Sequence, residues 1–98
     1  MEISMINNPL KSFDGKPIIV NNDEQFTIKV ALLNCLGSKP PKNGKESIEI
    51  YSLGCALYSG TKKSLSIEER ALLKDAIEEN KPGYTGIILG QLMLFLES

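Results

Sequence analysis

The chain has no histidine and no tryptophan, and only two of its 98 residues are cysteine. Without histidine the Ser-His-Asp and Cys-His arrangements of nucleophilic catalysis cannot be built, because both need an imidazole to take the proton. Two cysteines and no histidine also fall short of the four ligands of a usual zinc site, so no metal and no cofactor is expected. A charge surplus is missing as well: 11 basic residues stand against 12 acidic ones, for a net charge of -1. Binding the phosphate backbone rests on a positive surplus that displaces counterions, so no nucleic-acid partner is expected. A mimic of DNA would need a large negative surplus, and that is absent too. There is no long hydrophobic run. The longest, residues 87 to 96, is about half of the ~20 residues a bilayer crossing takes, and no membrane partner is expected. Met1-Glu2 lacks the basic and then apolar start of a secretion signal, so a cytoplasmic location is expected.

Other reaction motifs fail on spacing. Gly37 and Gly44-Lys45 are too far apart for a phosphate-cradling loop, and Glu46 stands where that loop needs a hydroxyl. Glu68-Glu69 and Glu78-Glu79 are adjacent on a predicted helix, so each pair points in two directions and makes no convergent acid–base site. The chain is not expected to be an enzyme.

What is present is an ordinary globular composition, 42% hydrophobic and 23% charged, in a chain with room for one domain. The pattern predicts an α+β, mostly α, fold over residues 1–98: a β-hairpin segment (1–21) followed by a bundle of four helices (22–98). Asp14-Gly15 between Leu10–Phe13 and Lys16–Val20 signals a hairpin with a type I′ turn. Pro9 and Pro17 belong on an outer edge, and residues 2 to 6 alternate as a third short strand would. Asn21-Asn22-Asp23 offers an N-cap for a first helix from about Glu24 to Leu36, stopped by Gly37. Phe26, Val30 and Leu33 form its inner stripe, widened by Ile28, Leu32, Cys35 and Leu36. A proline- and glycine-bearing loop, 37 to 45, follows.

The second helix is predicted over 46 to 59 with Gly60 as its stop. It carries two apolar stripes, Ile48-Tyr51-Cys55-Tyr58 and Ile50-Leu53-Leu57. One stripe is enough to seat a surface helix, so two imply a sandwiched helix or a face kept for a partner. The third helix is marked by a capping box, Ser66-x-x-Glu69. It buries Leu72, Leu73, Ala76 and Ile77 and ends near Asn80, Pro82 and Gly83. The fourth, from Thr85 or Gly86 to Leu96, is apolar around nearly its whole circumference. Cys35 and Cys55, both among apolar neighbours, read as two buried thiols or as a disulfide between helices.

Several of these pieces carry a likeness: Pro9-Leu10-Lys11, Asp14-Gly15-Lys16-Pro17, Val30-Ala31-Leu32-Leu33, Leu57-Tyr58, Ser66-Ile67-Glu68-Glu69 and Gly90-Gln91. In their order the chain resembles a diffuse group of small proteins encoded by tailed bacteriophages and prophages. The resemblance implies a phage origin and supplies no site residue.

The expectation is therefore a non-enzymatic phage or prophage protein that binds and modulates a protein of the host or of the phage. The alternative is a small structural, assembly or self-associating morphogenesis protein. A helix-turn-helix regulator is disfavoured by the acidic third helix. The apolar surplus predicts a homodimer. The expected interface residues are Met93, Phe95 and Leu96 at the chain end, with Tyr51 and Tyr58 on the second helix.

Overall fold

A computed structural model describes residues 2–20 and 24–97. Its elements are a short antiparallel hairpin, β1 (Ile19–Val20) and β2 (Glu24–Gln25), followed by four helices. The helices are α1 (Ile28–Ser38), α2 (Gly44–Ser59), α3 (Ile67–Glu79) and α4 (Gly86–Glu97). The fold is α+β and mostly α.

The Asp14-Gly15 turn forms, with a different geometry from the expected one. Gly15 alone has positive φ (84°), and Asp14 does not, which rules out type I′. The loop is three residues long, closed by Ser12 N–H donating to Lys16 O (2.9 Å) and Gly15 N–H to Ser12 O (2.9 Å). Around it the ladder is reduced to one bridge, Lys11 with Pro17.

The reason lies one strand further on. Leu10 N–H donates to Phe26 O (2.7 Å), Phe26 N–H to Ile18 O (2.9 Å), and Ile18 N–H to Leu10 O (2.8 Å). Three segments, eight residues apart in sequence, thus close a ring in which each gives one donor and one acceptor. Leu10 and Phe26 are buried in it, so their backbone groups are satisfied away from water. Pro9 and Pro17 each stand one residue before a ring donor, so their missing N–H removes nothing from the closure.

This ring displaces the start of α1. Residues 24 and 25 are strand, and the helix begins at Ile28 with Thr27 as N-cap, its hydroxyl accepting from Val30 N–H (3.2 Å). The expected cap at Asn21-Asn22-Asp23, and the boundary at 21/22, lie outside the described residues. The N-terminal segment is not a third strand. It makes a single bridge, Glu2 with Ser64, and turns so that Asn8 O accepts from Ile28 N–H (3.0 Å) and Ile6 O from Lys29 N–H (2.8 Å). Two free amides of the first turn of α1 are capped by backbone carbonyls from the far side of the hairpin, at Asn8 and Ile6.

α1 is the central element and packs against α2, α3 and α4. Ala31, Leu32, Cys35 and Leu36 form its buried face. The expected stripe through Val30 and Leu33 is turned outward by comparison: Val30 is 43% exposed and Leu33 half-buried. At the other end α1 continues past Gly37, through Ser38, to a cap at Lys39. Lys39 is buried, and its ammonium pairs with Glu46 in the first turn of α2. Asn43 caps α2 by accepting from Glu46 N–H (2.8 Å), and Gly60 ends it in the left-handed conformation at φ 77°.

α3 follows its sequence signals closely. Ser66 N–H donates to Glu69 Oε1 (2.8 Å) and Glu69 N–H to Ser66 Oγ (3.1 Å), which is the reciprocal capping box. Asn80 ends the helix at φ 48°. Its side-chain amide exchanges hydrogen bonds with the backbone of Tyr84 (2.8 and 2.9 Å), which fixes the turn into α4. The Tyr84 ring meets Phe26 edge-on at 5.6 Å, and its hydroxyl accepts from Asn34 (2.7 Å), so the turn is held against α1.

Candidate functional site

α2 decides which part of the surface is unusual. Leu53 and Leu57 of its inner stripe are buried and Ile50 packs at the core edge. Its second stripe faces away from the core. Ile48 is 69% exposed, Tyr51 75% and Tyr58 74%, and Cys55 is exposed between them. The stripe is therefore not sandwiched between elements of the chain; it faces solvent. The spacing of 3, 4 and 3 residues places all four side chains along one line of the helix.

Beside that line runs a groove of about 420 Å³ between α1 and α2, with Leu33 and Gly37 on one wall and Tyr51, Gly54, Cys55 and Tyr58 on the other. On its floor Gly54 faces Leu36, where an added Cβ would lie in ordinary van der Waals contact at 3.9 Å. One end is fixed by Lys29 of α1, whose ammonium donates to Tyr58 O (2.7 Å) and lies 5.4 Å from the centre of the Tyr58 ring. A cation at the last carbonyls of a helix is also favourable to its dipole. In the middle of the stripe the Cys55 thiol, within hydrogen-bonding reach, pushes the Tyr51 phenol above its ordinary pKa.

Both cysteines are free thiols, so no disulfide joins the helices. Cys35 is buried as expected, and burial raises its pKa, whereas Cys55 is not buried. The chain-end residues sort differently from the expectation. Leu96 is fully buried in the core and offers no side chain to a partner. Met93 and Phe95 are half-buried and packed against the core. The exposed large apolar residue of α4 is Leu94, at 71%. Tyr51 and Tyr58 are thus brought together with each other, and not with Met93 and Phe95 into a site that the structure delimits. Ile48 and Cys55 belong beside the tyrosines, and the same helical spacing was the signal for them.

Among the described residues no group of three Cys, Asp or Glu side chains is arranged to hold a metal ion, and no helix is long and apolar enough to cross a membrane. A second cleft lies between α2 and α3, floored by Leu53 and Leu72 and edged by Glu49 and Glu68. Lys62, paired with Glu69 at 2.6 Å, lies along it. No family model, curated protein or solved structure matches the chain.

Proposed function

We propose that this protein works by protein–protein association through the outer face of α2, with no chemistry of its own. The single observation that carries the reading is the solvent-facing line Ile48-Tyr51-Cys55-Tyr58. Single exposed apolar residues are ordinary on a protein surface, but an aligned set with two aromatic rings is what an association surface presents. Tyrosine bears a large rigid ring with a polar tip and is enriched at such surfaces. The likeness to small phage and prophage proteins supports a setting in the host cytoplasm, with a host or phage protein as the partner. The balanced charge and the absence of histidine weigh against nucleic-acid binding and against acid–base catalysis. The test is a pull-down from a bacterial lysate with two baits, the wild type and the Tyr51→Glu/Tyr58→Glu variant. With a differently tagged copy of the chain added to the lysate, the reading predicts a protein held by the first bait, that copy or a lysate protein, and lost from the second. Equal capture by both baits overturns the placement of the surface.

A further inference from the structure

We infer that the occupant of the outer face of α2 is a second copy of this chain, related by a two-fold axis that pairs α2 with α2 in antiparallel. The inference rests on the reading of that face as an association surface, and the stripe itself argues for self-pairing. A two-fold interface must be complementary to itself. In antiparallel register about position 53, Tyr51 comes opposite the partner's Cys55, and Ile48 opposite the partner's Tyr58. The large ring of Tyr51 thus meets the small thiol side chain, and the other ring meets an aliphatic side chain.

The positions flanking the stripe are Ser47, Ser52, Gly54 and Ser59. All are small and uncharged, so two backbones approach closely along the middle of the seam; the nearby charges are cations at its two ends, Lys45 one turn before Ile48 and Lys29 over the Tyr58 ring. Partner choice in paired helices is usually set by charges at such flanking positions. Here the middle of the seam carries none, and the cations at its ends, which the antiparallel register brings toward each other, make the pair weak and strengthened by salt.

The area fits a weak pair. Each tyrosine leaves about three quarters of its surface open, roughly 150 Å² by the usual size of an aromatic side chain. With Ile48 and Cys55 the patch reaches roughly 450 Å² per chain, so complete pairing hides about 900 Å² in all, the range of a weak interface. A dimer of that size is weak and forms with concentration.

Sedimentation velocity of the full chain, from about 5 to about 500 µM, reads this directly as mass action. The expected result is a mass that rises from the 10.8 kDa chain toward twice that value. Tyr51→Glu/Tyr58→Glu is expected to stay at the single-chain mass with an unchanged circular dichroism spectrum. Ile48→Lys gives the same reading if the double variant fails to fold. Ile67→Glu alters an apolar residue of α3 that is 80% exposed and is expected to pair like the wild type. A dimer that survives Tyr51→Glu/Tyr58→Glu, or one that Ile67→Glu abolishes, overturns the inference. A wild type that stays single at every concentration, while the tyrosine variant still loses a captured protein from the lysate, overturns the second copy and leaves the association surface standing. A single chain whose captures do not depend on the tyrosines overturns both.

Discussion

Gln91 of α4 grips the backbone of Lys11, eighty residues earlier in the chain: its Oε1 accepts from Lys11 N–H at 2.8 Å and its Nε2 donates to Lys11 O at 2.7 Å. One side-chain amide thus takes the place of a neighbouring strand for a segment whose own ladder is a single bridge. The pair ties the N-terminal segment to the last helix. Gln91→Ala is expected to destabilise the fold by about 1 kcal/mol, the net worth of two exposed hydrogen bonds that water replaces only in part. A thermal melt detects that as a fall of several degrees in a domain of this size. An unchanged melting temperature would show that water replaces the amide at no cost.

Ser66→Ala should cost about 1 kcal/mol through loss of the cap at α3, and acid should weaken the same place. Burial raises the pKa of Glu69, but the hydrogen bond from Lys62 and those at Ser66 outweigh it, and the net shift is downward. Glu46 is likewise lowered, first by its hydrogen bond from Lys39. A carboxylate lowered in the folded state contributes stability above its unfolded pKa and loses it as pH falls through the folded value. The melting temperature is expected to hold from neutral pH to about 5 and to drop below the ordinary glutamate range near 4.3. Glu69→Gln should lose less on acidification than the wild type. Parallel pH profiles for the two would refute the assignment.

Leu96 and Leu94 sit two residues apart with opposite fates, the first fully buried and the second 71% exposed. Leu96→Ala should cost about 2–5 kcal/mol in denaturant unfolding, as other buried leucines do. Leu94→Ala should stay within about 0.5 kcal/mol of the wild type. Similar losses at both positions would contradict the orientation of α4.

Local signals were legible in the sequence and non-local ones were not. The capping box at Ser66 and Glu69 and the left-handed stop at Gly60 depend on residues within one or two turns, and both stand where the sequence places them. Residues 24 to 26 carry a helical pattern, yet Phe26 is claimed by the ring with Leu10 and Ile18, partners eight and sixteen residues away. Leu96 reads as poorly covered because it lies near the end of α4. In the fold α4 packs against both α1 and α3, and the Arg70 guanidinium of α3 donates twice to the Leu96 carbonyl (3.0 and 2.6 Å). The double stripe of α2 was visible in the sequence. Which stripe turns inward is fixed by the seat on α1, and no local rule encodes that.

The most direct measurement of whether the outer face of α2 becomes covered is the rate at which Cys55 reacts with a soluble thiol reagent, followed across protein concentration. Cys35 is buried, with its thiol pKa raised, so Cys55 is the thiol expected to react in the folded chain. The predicted result is one fast thiol per chain in dilute solution and a rate that falls as the protein is concentrated. In Tyr51→Glu/Tyr58→Glu the rate should stay the same at every concentration. A wild-type rate that is equally independent of concentration would contradict the account.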